Sequence, residues 1–301
     1  MLPELVSVLR RFGELDIDDH TSGLLAGMSA ATIDRRLAPE RKKHGLTAWR
    51  CAQPGSLLKS PPARSWAGRD ESVPGFVEVG LLPHGGYPVD GERPWTVAVT
   101  DIVTGWTEKR SICSDAGKRV LAALDDIALD MPFPILGIDT VHSGSFIDAD
   151  LLAWCAKRRI SFAGLPPDID NDFCHGEQQD WAIVRTLVGY HGHSTGADVR
   201  LLNEICKLQS LLTNYFCPQQ KLMSKVRTGV KVSKRYDTAT TPHRRVEAHQ
   251  SVSTEDKAIL ADTYATINPA AVQRKIQALA AELRAETASQ AGPPPTARLV
   301  G

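Results

Sequence analysis

Apolar positions recur at helical spacing near the amino end of the chain and at strand spacing in its middle. Leu5, Val8, Leu9 and Phe12 within 3–13, and Leu24 and Leu25 within 18–26, predict two short helices. A Gly27-Met28 turn follows. Ser29 is the expected N-cap of a third helix, from Ala30 to about Lys43, with Ile33 and Leu37 facing inward and Thr32, Arg35 and Arg36 outward. From about 45 to 74 the periodicity gives way to Gly, Pro, Ser and Arg. Trp49 and Trp66 in this stretch need cover, so it reads as a linker lying over other surface. The runs 76–82, 94–103 and 105–112 then predict three antiparallel strands, the last two joined by a Thr104-Gly105 turn. Residues 115–130 are amphipathic, with Val120, Leu121, Leu124, Ile127 and Ala128 on one side. Residues 134–139 form a short buried strand, 148–158 another helix, and Ile160–Phe162 a fifth strand. Helices are expected near 176–189 and 197–214, and again beyond 250. There Asn268 caps, Pro269 takes the first helical position, and Val272, Ile276, Leu279 and Leu283 form a stripe suited to docking on another helix.

Composition narrows the class. With 301 residues, 42% of them hydrophobic, the chain can bury a substantial core. No run approaches the roughly 18 apolar residues of a membrane span, so a membrane partner is not expected and the localisation read from sequence is cytoplasmic, with nucleoid association. The six cysteines lie at least 11 residues apart, which speaks for reduced thiols and against a zinc ribbon or a disulfide framework. Formal charge is zero, but its distribution is uneven. Residues 35–50 carry six basic side chains and one acid, and residues 221–236 carry six and none, around a more acidic centre. Basic segments on either side of such a centre suit a polyphosphate held at two places, because each neutralised phosphate releases counterions. The early helices, with a basic third one after a Gly turn, have the pattern of a helix-turn-helix.

Three stretches carry the chemistry: GFVEVGLLPH at 75–84, PILGIDTVHSGSFI at 134–147 and NDFCHGEQQDWAIVR at 171–185. Together with LLNEICKLQSLLTNYFCPQQKLMSKVRTGVKVSKRYDTATTPHRR downstream, they resemble the integrase and transposase family that cuts and joins DNA with three acidic residues, and in particular bacterial insertion-sequence transposases. The resemblance covers roughly residues 1–285. It implies a ribonuclease H-like α/β fold, a mixed five-stranded sheet with helices on both faces, flanked by N-terminal helix-turn-helix-like helices and C-terminal helices. The implied divisions are 1–45 for the first helices, 46–74 linker, 75–218 catalytic core, 219–250 basic segment, 251–287 C-terminal helices and 288–301 a disordered tail. Fuller members of the family carry more helix-turn-helix sequence upstream, so the chain is expected to begin late.

The family's three acids fall at Gly80, Val141 and Glu177, so two of the three are missing. Val141 and Glu177 stand 36 positions apart (177 − 141), the spacing retroviral-type members keep. Strand transfer of this kind uses two Mg²⁺ ions, implied here by the resemblance alone, and Mg²⁺ needs near-octahedral anionic oxygen ligands. Gly80 and Val141 offer none, leaving Glu177 as the surviving catalytic and metal-binding acid. Asp139, two positions before Val141, is the possible surrogate. Side chains two apart on a strand lie about 7 Å from each other, so it serves only if the strand end bends; otherwise it orders the following turn. Asp101 is expected to order its own hairpin, and Glu78 has the right direction at the wrong depth. His84 and His175 read as DNA-backbone contacts or as loop residues, His142 as a turn residue, and the His191/His193 pair lacks a third zinc ligand. The resemblance assigns DNA contact to the basic segment, with Lys221, Lys225, Arg227, Lys231, Lys234, Arg235, Arg244 and Arg245. The helix-turn-helix pattern adds Arg35, Arg36, Lys42 and Lys43. Two functions stand side by side: a DNA transposase, acting as a homo-oligomer, with its strand-transfer chemistry impaired; or a non-catalytic DNA-binding or assembly factor that pairs with active transposase subunits through its helical tail.

Overall fold

The computed structural model describes residues 2–43, 72–84, 94–114, 116–140, 149–163, 196–228 and 231–290. Its centre is a five-stranded mixed sheet. Strands β1 (Phe76–Pro83), β2 (Trp95–Asp101) and β3 (Thr107–Ile112) form an antiparallel meander, and β4 (Gly137–Thr140) and β5 (Ser161–Ala163) add in parallel beyond β1. The order across the sheet is β3-β2-β1-β4-β5, the ribonuclease H-like arrangement expected from the element order.

Alternation along the strands sorts their residues onto two faces. One face is apolar: Val77, Val79, Val97, Val99 and Ile138 are all essentially inaccessible. Helices α4 (Gly117–Asp130) and α5 (Ala149–Arg158) cover it with Val120, Leu124, Ile127 and Leu151. The indole N–H of Trp154 donates to Asp125 at 2.9 Å and ties α5 to α4. Arg158 lies 4.4 Å over the Trp154 ring.

Two local devices set the sheet's register. Asp101 accepts the backbone N–H and hydroxyl of Thr104, both at 2.6 Å, and the N–H of Gly75 at 2.7 Å, so it closes the β2–β3 turn and anchors the entry to β1. Burial pushes its carboxyl above the ordinary range, against the lowering effect of those three bonds and of the nearby Lys221 charge. Gly75 has a φ of +116°, and a Cβ there would meet the Pro134 carbonyl oxygen at 2.5 Å. Only glycine fits.

Helix α6 (Gly196–Phe216) lies along the outer edge of β3. Asn203 accepts the Ser111 N–H at 2.8 Å and donates to the Ser111 carbonyl at 2.8 Å. Asn214 does the same for Thr107, at 2.9 and 3.0 Å. The two amides bond the outer edge of β3 at Thr107 and Ser111 as a neighbouring strand would.

Beyond the core, β6 (Leu222–Thr228) and β7 (Lys231–Tyr236) pair into a separate antiparallel ribbon. Three helices follow: α7 (Pro242–Ala248), α8 (Thr254–Thr266) and α9 (Pro269–Gln290). The Thr241 and Ser253 side chains cap α7 and α8, and Asn268 accepts the N–H groups of Ala270 and Ala271 at the start of α9, as its sequence predicts. Ile276, Leu279 and Leu283 of α9 pack against Leu202, Ile205 and Leu212 of α6. The apolar stripe of the C-terminal helix is therefore spent within the chain.

Helix α1 (Leu2–Arg11) docks on this C-terminal layer: Glu4 accepts from Tyr264 at 2.9 Å and pairs with Arg244, and Glu14 holds Arg274 and Asn268. Helix α2 (Asp19–Ala26) has no buried residue, and no described residue of α3 (Ala30–Lys43) is buried. Ser29 caps α3 through the Thr32 N–H, as expected. Leu37, expected to face inward, is instead 45% exposed. Pro39 lies within α3. The linker up to residue 71, the expected helix at 176–189 and the tail from 291 lie outside the described residues.

Candidate functional site

The second face of the sheet is polar and still buried. Reading across the strands, Asp139, Glu78, Thr100 and Thr107 form one row, and Gly80, Ala98 and Lys109 the next. Glu78 and Asp139 are direct neighbours in the parallel β1–β4 register, 8% and 2% exposed. A third row holds Leu82, Thr96 and Ser111. Here Thr96 bonds Ser111 at 2.9 Å and His84 at 2.7 Å, and Ser111 reaches Cys206 of α6 at 3.7 Å. Two carboxylates side by side, a lysine on the same face and a chain of hydroxyls are costly to bury without mutual compensation. Buried charge gathered in this way makes the face a functional-site candidate.

The residues singled out from sequence are distributed over this face as follows. Gly80 sits on β1, and no described residue comes within 4 Å of a Cβ built on it. Asp139 lies near the end of β4 and is buried beside Glu78, in register with it. Val79 pairs with Thr140, one step before Gly80 and one before position 141. Val141 and Glu177 themselves lie outside the described residues, as do His142, His175, His191 and His193. Among the described residues no group of three His, Cys, Asp or Glu side chains could hold a metal ion. His84, read as a DNA contact or a loop residue, directly follows β1 and is 4% exposed at the end of the hydroxyl chain, its backbone N–H donating to the Pro94 carbonyl at 3.0 Å and its ring bonded to Thr96.

Sequence reading passed over Lys109. Strand β3 reads Thr-Glu-Lys-Arg-Ser-Ile, and all six residues are buried. A polar run inside a sheet was the available signal. Its other face carries Arg110, paired with Asp130 and Asp126 of α4, and Glu108, which accepts from the Trp106 indole at 3.0 Å and the Asn214 amide at 3.3 Å. Burial drives the Glu108 carboxyl up to about 7.

The basic segment separates into two parts. Along the β6–β7 ribbon the backbone register sets Lys225 opposite Lys234, Ser224 opposite Arg235, Arg227 opposite Val232 and Thr228 opposite Lys231. Met223 and Val226 on the same ribbon are exposed. Lys221 is engaged inside the protein instead: its ammonium donates to the Val103 carbonyl, and burial lowers it to about 8. Arg244 and Arg245 are likewise held by Glu4, Glu247 and Asp237. Arg35, Arg36 and Lys42 are exposed on α3, which also carries Lys43.

Strand order and this polar face define a ribonuclease H-like α/β protein. No family model matches the chain. The uncharacterized protein y4rM of Sinorhizobium fredii is 33% identical over 247 residues, covering 81% of this chain and 70% of that protein, and the chain belongs to its family. Among solved structures, the HTLV-2 integrase catalytic core in complex with magnesium aligns with a TM-score of 0.33 and 11% identity, over 51% of this chain and 91% of that one. The simian T-cell lymphotropic virus intasome with the PP2A regulatory subunit B56 gamma aligns at 0.30 and 11%, over 38% and 40%. At these scores the alignments add no weight to the strand order. No described helix is long and apolar enough to cross a membrane.

Proposed function

We propose that this protein binds DNA as an integrase- or transposase-type protein, homo-oligomeric, whose Mg²⁺-dependent strand cleavage and transfer is impaired. The observation that carries this reading is the vacant β1 position. Gly80 lies two positions beyond Glu78 on β1, next to the Glu78–Asp139 pair, and no described residue comes within 4 Å of a Cβ built on it. A two-metal site needs a bridging carboxylate at such a point, and the donors present do not fit one. DNA engagement then falls to the β6–β7 ribbon and to α3, whose sequences are rich in Lys and Arg.

The packing of α9 onto α6 weighs against the second reading, a factor acting through a free helical tail, because Ile276 and Leu283 are fully buried within this chain. The test uses the full chain, a duplex oligonucleotide and Mg²⁺. Binding that weakens steeply with salt, without cleavage or joining, is expected. Absence of binding at low salt refutes the DNA reading; a Mg²⁺-dependent joined product that disappears in Glu177→Gln refutes the impairment.

A further inference from the structure

We infer that Lys221 and Asp237 lock the base of the β6–β7 ribbon onto the β2–β3 turn of the core, so that the ribbon is held out as a fixed arm. The lock makes both side chains positioning residues for the DNA binding proposed above, and this consequence rests on that reading. Three sets of contacts carry it. The Lys221 ammonium donates to the Val103 carbonyl inside the turn, and Asp101, which closes the same turn, lies close enough to attract its charge. The ribbon's first strand is thereby tied to the core. Asp237, just beyond β7, accepts the Lys221 backbone N–H at one oxygen and Arg245 of α7 at the other, the latter at 2.9 Å, while its own N–H donates to the Lys221 carbonyl at 2.9 Å. One carboxylate thus joins both strands to α7. Gln219 completes the base: it exchanges backbone hydrogen bonds with Thr240 at 3.0 and 3.1 Å and gives its carbonyl to Arg245 at 2.7 Å. Its side chain lies against Gly105 in the turn, where a Cβ would meet Oε1 at 2.6 Å. Past this base, Met223 and Val226 are exposed. A two-stranded hairpin alone is marginal in water, so its order depends on how the base is held.

An arm already held in place reaches DNA without an ordering cost, whereas a loosened one must be ordered on binding. Hydrogen exchange of the full chain without DNA tests the lock directly. In Lys221→Met, which keeps most of the stem and removes the ammonium, the amides of β6 and β7 are expected to exchange on the order of tenfold faster while those of β1 and β2 stay unchanged. Anisotropy with a labelled duplex oligonucleotide then tests its use. Affinity is expected to fall on the order of tenfold at every salt concentration, with the salt slope unchanged because no phosphate contact is lost. A role in stability alone would lower the melting temperature and leave the affinity of the folded protein as it was, and that result overturns the positioning role. A slope flattened by about 0.9, the value of one phosphate, overturns it too, by making Lys221 a direct contact. Unchanged exchange in the ribbon overturns the lock whatever DNA does. If the unaltered chain binds no DNA, the functional reading fails, and the exchange result alone upholds or overturns the lock. Should Lys221→Met not fold, Asp237→Asn takes its place, since it keeps an acceptor for the Lys221 N–H and loses the charge that pairs with Arg245. The expected directions and the refuting results are the same.

Discussion

The β6–β7 ribbon makes the sharpest functional prediction. Its strands carry Lys225, Arg227, Lys231, Lys234 and Arg235, and seven residues of β6 extend over about 23 Å. A two-stranded ribbon fits the DNA major groove, which is about 12 Å wide. If each of the five cations neutralises one phosphate, together they account for about 4.5 of the slope of log K against log salt. Changing all five to Gln should flatten that slope by up to this amount and weaken binding at low salt by several orders of magnitude. Lys221→Gln should leave the slope unchanged, because its ammonium is held by Val103. Fluorescence anisotropy with a labelled 30-base-pair duplex between about 50 and 250 mM salt measures both. An unchanged slope in the five-fold variant would show that the ribbon does not touch DNA. A flattened slope in Lys221→Gln would mean that its internal bond is surrendered on binding.

Three further outcomes test the scaffold. Glu108 titrates near 7 when folded and near 4.5 otherwise, so the stability tied to its protonated form is complete below about pH 4.5 and is lost as pH rises through about 7, a change of about 3 kcal/mol. Urea unfolding of Glu108→Gln at pH 4.5, 6 and 8 should show that decline removed and the variant more stable at pH 8; parallel pH profiles refute it. Asn214→Ala leaves the buried Thr107 N–H and C=O without their partners, costing about 2–4 kcal/mol, and hydrogen exchange should speed first along β3. Gly75→Ala, whose Cβ would lie 2.5 Å from the Pro134 oxygen, should lower stability by about 3 kcal/mol or more, while Gly80→Ala should be close to neutral in the same thermal melt.

The core order was legible because its strands and helices repeat at 2.0 and 3.6 residues. The runs at 76–82, 94–103 and 134–139 and the helix at 115–130 fall close to β1, β2, β4 and α4. Caps at Ser29 and Asn268 were readable for the same local reason: one side chain bonds a backbone N–H two or three residues on. The β6–β7 ribbon was not legible, since the frequent Lys and Arg of 221–236 obscure any alternation of apolar and polar positions. Leu37 shows the limit of periodicity. Its spacing implies a buried stripe, yet it is 45% exposed.

The sequence by itself determined which side chains are absent: a glycine and a valine cannot ligate magnesium wherever they fall. Only the tertiary structure decided what lies beside the gap. Registry between strands far apart in the chain sets Glu78 against Asp139 and aligns Lys109 with Gly80, and such pairing depends on hydrogen bonds across the sheet that no local pattern encodes.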